Sequence, residues 1–246
     1  MKLYFPIPNP RNKLTTDIAN TIKEFYPIGL TRESPDYGAY PGTIKLHEIM
    51  SDNIGNNKNF KERWGIFLKK LHKELKQSTY KLASSTYGFA PSFSADLELE
   101  RYEDESLIRV KRLSFAVSLI GPFFTIFGID ETFIKEKQPE FPAFYHAMNV
   151  ITPSPYKEFK NDFKYLEQQI EKQFNGYQFV PISMSLRLVK GLHHDYLECG
   201  KVHNALFNHL FDLADPSFRN FRGDRWYGYG ESNVKVTLAA PPPAND

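Results

Sequence analysis

The densest group of reactive side chains in this 246-residue chain is His193, His194, Asp195, Cys199, His203 and His209, gathered within 17 positions. Imidazole, thiolate and carboxylate groups are ligands for zinc or iron, and a thiolate beside an imidazole is a nucleophile with its base. The spacing weighs against both chemistries. Adjacent His193 and His194 point to different sides in most backbone conformations. No His-Glu-x-x-His or Cys-x-x-Cys motif places two ligands on one face. Cys199 and His203 stand four apart, as neighbours on a helix do, yet Gly200 between them marks a break. From about Lys201 to Leu213 the pattern is apolar on most faces (Val202, Ala205, Leu206, Phe207, Leu210, Phe211), which describes a buried helix with His203 or His209 as hydrogen-bonded core residues. A metal-dependent or Cys/His-dependent enzyme using His193, His194, Asp195, Cys199 and His203 is therefore the second reading of the chain.

Other enzyme signatures are missing. Neither Ser84-Ser85 nor Ser183 to Ser185 sits in a Gly-x-Ser-x-Gly elbow, and there is no phosphate loop or dinucleotide fingerprint. A different chemistry is carried by Arg222, Arg225, Trp226, Tyr227 and Tyr229, where arginines interleave with rings. Such residues are enriched at protein interfaces and also stack on unpaired bases. Packing of Trp226 and Tyr227 under a final strand, Val234 to Leu238, is the competing explanation. The charge balance separates the partner classes: 31 Lys and Arg against 29 Asp and Glu leave a net charge of +2, which argues against a chain that coats nucleic acid or an anionic membrane. Aromatic residues make up 15%, enough for a ring-built core and a ring-rich contact surface.

These residues need elements to hold them. Thr16 is a candidate N-cap for a helix reaching Tyr26, with Ile18, Ile22 and Phe25 at helical spacing and Pro27 as its stop. Gly29 to Gly42 reads as loop, Thr43 to Asp52 as a short helix and Asn53 to Asn59 as a polar break. Asn59 and Glu62 form a capping-box pattern ahead of a stripe of Phe60, Trp64, Phe67, Leu68, Leu71 and Leu75, with lysines opposite. Strand alternation begins near Ser92. A turn centred on Asp104-Glu105 would set Glu100 opposite Arg109 and Glu98 opposite Lys111 on a solvent face. Leu113 to Ile129 runs without a charge, but Gly121-Pro122 divides it into two buried strands rather than one membrane span. Ala143 to Ile151 is a further strand. Ser154-Pro155 opens a helix whose Phe159, Phe163, Leu166, Ile170 and Phe174 line one face, and Asn175-Gly176 stops it.

This order predicts an α+β fold in one domain, residues 1–238, a mainly antiparallel sheet with a meander near 92–130 and helices packed against it. Residues 239–246, with three consecutive prolines, read as a flexible tail. The lone Cys199 cannot form an intrachain disulfide, and Met1 to Lys13 carries three prolines and no apolar run suited to a signal peptide, so a cytoplasmic location is expected.

The chain resembles the cytoplasmic immunity proteins that neutralise bacterial polymorphic or contact-delivered toxins. The likeness lies in the size and aromatic content, the sheet segment Leu113 to Ile129 followed by a helix, the Tyr177-Gln178-Phe179-Val180-Pro181 segment and the late Val202-His203-Asn204-Ala205-Leu206-Phe207 stretch. The resemblance implies a stoichiometric, non-catalytic inhibitor that covers a toxin's active site and needs no cofactor. Its expected partner is a protein, and the Arg222 to Tyr229 segment and the charged hairpin are the expected contacts. Single-stranded nucleic-acid binding through Arg222, Arg225, Trp226 and Tyr229 is a third reading.

Overall fold

A stretch that is uncharged and apolar throughout must pair its backbone groups internally, and from Leu113 to Ile129 the chain does so as two neighbouring strands joined at Gly121-Pro122. The computed structural model describes residues 4–6, 12–31, 33–75, 80–88, 90–105, 107–138, 141–152, 159–193 and 200–208, with backbone alone over 130–138 and 141–152. The chain as far as Glu74 is helical: α1 (Lys13–Phe25), α2 (Pro35–Gly38), α3 (Pro41–Met50), α4 (Asn57–Phe60) and α5 (Ile66–Glu74). The sheet follows with β1 (Lys81–Ser84), β2 (Ser92–Glu103), β3 (Leu107–Ser118), β4 (Phe123–Gln138) and β5 (Phe141–Thr152). After it come α6 (Lys160–Gln173), β6 (Gln178–Phe179), α7 (Ile182–Ser185) and α8 (Val202–Leu206). Strand order is β1-β2-β3-β4-β5 with every neighbour antiparallel, and β6 lies parallel to β4 at Phe123 and Phe124. The architecture is α+β with a mainly antiparallel meander, as the pattern predicts.

Period-two alternation assigns each strand residue to one of two cores. Phe93, Ala95, Leu97, Leu113, Phe115, Val117, Phe124 and Ile126 face Trp64, Phe67 and Leu71 together with Phe163, Leu166 and Ile170 of α6. Ala116 and Phe123 face the other way, toward Ile18, Ile22 and Phe25 of α1, Leu46 and Met50 of α3, and α8. From Leu113 to Ile129 the sheet is thus covered on both sides, which is why this stretch carries no charge. Trp64 is fully buried and stacks on Phe93 at 5.4 Å and 11°, with Phe67, Phe115 and Phe174 around it.

Several boundaries differ from the sequence pattern, each for a local reason. The cap of α1 is Asn12, whose Oδ1 accepts from the Thr15 N–H at 3.2 Å; Thr16 lies inside the helix. The cap ahead of the Trp64 stripe is Asn56, which accepts from Lys58 and Asn59. That stripe is not one regular helix. Lys61–Gly65 is a π turn, closed by the Ile66 N–H on the Lys61 carbonyl, and a second π turn occupies Ser51–Gly55. An extra residue in a turn rotates the residues after it about the helix axis, and Ile66 is left 57% exposed while Trp64 is enclosed. The Gly29 to Gly42 stretch holds α2 and the start of α3 rather than loop alone, since the Ser34 hydroxyl accepts from the Asp36 N–H and Pro35 occupies the first helical position. β1 had no sequence signal of its own.

The hairpin register is also corrected. Asp104 closes the turn, its N–H donating to the Leu107 carbonyl at 3.0 Å and its carboxylate accepting from the Leu107 N–H at 2.8 Å. The pairing therefore runs Tyr102 with Arg109 and Glu100 with Lys111. A bulge at Leu99 then shifts it, so Glu98 pairs with Arg112. The helix expected from Lys201 to Leu213 is seen as Val202–Leu206, ending at its C-cap Phe207; residues 209–213, the Ser154-Pro155 start, the strand Val234 to Leu238 and the 239–246 tail lie outside the described residues. The end of α6 is as expected, with Gly176 at φ +83°.

Truncating Trp64→Ala would open a ring-sized void between strands and helices. The expected loss is about 3–5 kcal/mol of unfolding free energy, read from urea denaturation.

Candidate interaction surface

Of the residues that suggested metal or thiol chemistry, two are described. His203 sits in α8 and is buried, with the Phe127 ring edge-on at 5.7 Å and Phe207 at 5.6 Å. Burial first, and the positive charge of Lys201 second, push its pKa down to about 3. The ring is therefore neutral across the physiological range, and among the described residues its Nδ1 has no hydrogen-bond partner. His203 is thus a core residue, as expected, but one whose Nδ1 is left without a hydrogen bond among those residues. His193 stands on a separate segment beside the Val189–Leu192 turn, where its carbonyl accepts from the Tyr37 hydroxyl at 2.9 Å. The Gly200 N–H donates to the Leu192 carbonyl at 2.8 Å, so the chain leaves this turn and returns to it. His194, Asp195, Cys199 and His209 lie outside the described residues, as do Arg222, Arg225, Trp226, Tyr227 and Tyr229. Among the described residues no group of three or more His, Cys, Asp or Glu is placed to hold a metal ion.

The charged hairpin is fully built by contrast. Pairing of β2 with β1 and β3 puts Asp96 and Glu98 on one face, beside Arg112 and Ser114 of β3 and Lys81 of β1. The Asp96 carboxylate accepts from the Ser114 hydroxyl and has Arg112 Nε at 3.7 Å. Glu98 lies between Arg101 Nη1 at 3.5 Å and Lys81 Nζ at 3.7 Å, and Arg101 Nη2 reaches Glu103 at 3.3 Å. Asp96, Glu98, Arg101 and Arg112 keep between 22% and 39% of their side-chain surface in solvent. Each such pair is worth about 0–1 kcal/mol to stability. Their larger effect is to hold alternating charges in fixed places on a strand scaffold.

Spacing placed Lys111 and Glu100 on that same face, and the structure moves them off it. After the Leu99 bulge the strand turns Glu100 to the side packed by α6, opposite Lys111. The Lys111 ammonium is buried there, 3.2 Å from Glu100 Oε2 and 5.4 Å from the centre of the Phe159 ring. Beside them Tyr80 hydrogen-bonds Asp162. Burial raises the pKa of both, and the Asp162 charge raises that of Tyr80 further. Sequence reasoning missed this polar group because a single inserted residue, invisible in the alternation, reverses which side each charge faces.

Comparison of the chain with family models, with curated proteins and with solved structures gives no match. Among the described residues no helix is long and apolar enough to cross a membrane.

His203 gives a pH signature. The unfolded imidazole protonates near 6.5 and the folded one near 3, so the unfolded chain binds the additional proton between these values. The contribution is whole above 6.5 and is lost as the pH falls toward 3. His203→Leu should flatten that part of a stability-against-pH curve, and in the parent the His203 ring resonances should not titrate between pH 5 and 8.

Proposed function

We propose that this chain is a non-catalytic protein-binding module, a cytoplasmic immunity protein that binds and neutralises a bacterial toxin. The observation that carries the reading is the half-exposed network of Asp96, Glu98, Arg101 and Arg112, fixed on adjacent strands. Rigid elements place contact groups more precisely than loops do, and alternating charges select a partner of matching pattern by penalising every other. The resemblance to immunity proteins supports the same reading. In this proposal the charged face sets orientation and register, while Arg222, Arg225, Trp226, Tyr227 and Tyr229 supply the apolar anchor, since aromatic and arginine side chains dominate interface energetics.

The test is capture with the tagged full chain from its native host, followed by co-expression. One stoichiometric protein whose toxicity is abolished by this chain would support the proposal. A full equivalent of zinc or iron, with no protein partner, would replace it with the enzyme built on His193, His194, Asp195, Cys199 and His203. With the partner in hand, Glu98→Lys should weaken binding about tenfold or more, chiefly through association rate and salt dependence. Trp226→Ala should act mainly on dissociation and cost more.

A further inference from the structure

Where α1 passes the N-terminal segment, a cavity of about 160 Å³ opens between four stretches of chain. Phe5, Ile22, Ile28 and Val189 give it an apolar lining, with Ile22 almost fully enclosed and Ile28 38% exposed, so it runs from the core outward. Lys23 and Lys190 complete it. Both lysines are exposed, and among the described residues neither has an ion-pair partner, unlike nearby Lys45, which reaches Glu24.

The walls are fixed by backbone hydrogen bonds rather than by side chains alone. The Phe5 N–H donates to the Leu188 carbonyl at 2.6 Å, and the Gly29 N–H to the Gly191 carbonyl at 2.7 Å. Gly191 has φ +78°, and a Cβ there would stand 3.2 Å from both Gly29 N and Ile28 Cγ2, so only glycine lets the two turns meet this closely. A cavity held in this way exists before anything enters it, which removes the ordering cost from binding.

Size and charge then define the ligand. An apolar cavity of about 150 Å³ holds a benzene molecule, whereas drug-sized ligands and cofactors take about 300 Å³ or more. An apolar group alone would make no use of the two ammonium groups, and an inorganic anion alone would leave the apolar walls unfilled. We infer that this cavity is a binding site for a small carboxylic acid whose apolar part is the size of one aromatic ring. The ring lies against Ile22 and Val189, and the carboxylate faces Lys23 and Lys190.

The experiment titrates phenylacetate, and separately its neutral counterpart 2-phenylethanol, into the full chain while the methyl resonances of Ile22 and Val189 are followed. Both methyls should shift saturably with phenylacetate, at concentrations about tenfold below those needed for 2-phenylethanol. Lys23→Gln combined with Lys190→Gln, both at exposed positions, should abolish that preference and leave the affinity for 2-phenylethanol unchanged, which also reports that the cavity is intact. Absence of saturable shifts with phenylacetate, equal affinity for the two probes, or a preference that survives the double substitution would overturn the assignment. Tighter, lysine-dependent binding of an acetylated Phe-Glu amide would overturn it too, giving the cavity to a docking protein instead.

Discussion

Because β3 and β4 are covered on both faces between Leu113 and Ile129, their mutual register is the constraint on which every other element depends. Pairing runs from Leu107 with Ile134 to Val117 with Phe124, without a break. A slip of one residue would turn Leu113, Phe115 and Val117 toward α1 and send Ser114, Ala116 and Ser118 into the ring cluster around Trp64. Neither core could close in that arrangement. The small residues of β3 face α1 and α8, and its large ones face α5 and α6, so the alternation of size along one strand decides which helices lie on which side.

The two sides handle polarity differently. On the α6 side the charged groups stay at the rim of the ring cluster and are satisfied there: Lys111 by Glu100, Asp162 by Tyr80, and Glu74 by the Tyr165 hydroxyl, whose pKa burial pushes upward. On the opposite side, Thr125 of β4, Ser185 of α7 and His203 of α8 are buried, and among the described residues Thr125 Oγ1, Ser185 Oγ and His203 Nδ1 have no partner. Buried groups of this kind cost stability relative to an apolar replacement. The α8 region also has compensations: Tyr26 donates to the Ala205 carbonyl at 2.7 Å and Ser92 to the Phe207 carbonyl at 2.6 Å, tying the short helix to α1 and to β2.

Much of this architecture is legible in the sequence because its signals are local. The Ile18, Ile22, Phe25 spacing, the Gly121-Pro122 break and the Phe163, Leu166, Ile170 stripe all read correctly, since periodicity of 3.6 or 2 is set by which side is buried. The features that escaped depend on single residues. Asn12 and Asn56, rather than Thr16 and Asn59, cap their helices, and side chains of the same capping class cannot be ranked by spacing alone. The π turn at Lys61–Gly65 and the bulge at Leu99 each insert one residue without disturbing composition. The charged face was legible as a hairpin with facing acids and bases, but its membership was not: Glu100 and Lys111 belong to the other side. The histidine cluster was legible only as a set of residue types, because whether His203 meets a ligand or two phenyl rings is decided by elements far away in the chain.

The Leu99 bulge makes β2 one residue longer than its pairing requires. Glu98 and Glu100 face Arg112 and Lys111, which are adjacent in β3, so removal of Leu99 would leave both pairs standing in an uninterrupted ladder. A deletion elsewhere in the hairpin would instead exchange inside for outside along the rest of the strand. The hairpin therefore has one position at which a residue could be lost without changing which charges face each other, and what holds that residue in place is not the ladder but the core, since the Leu99 side chain is buried in the ring cluster around Trp64.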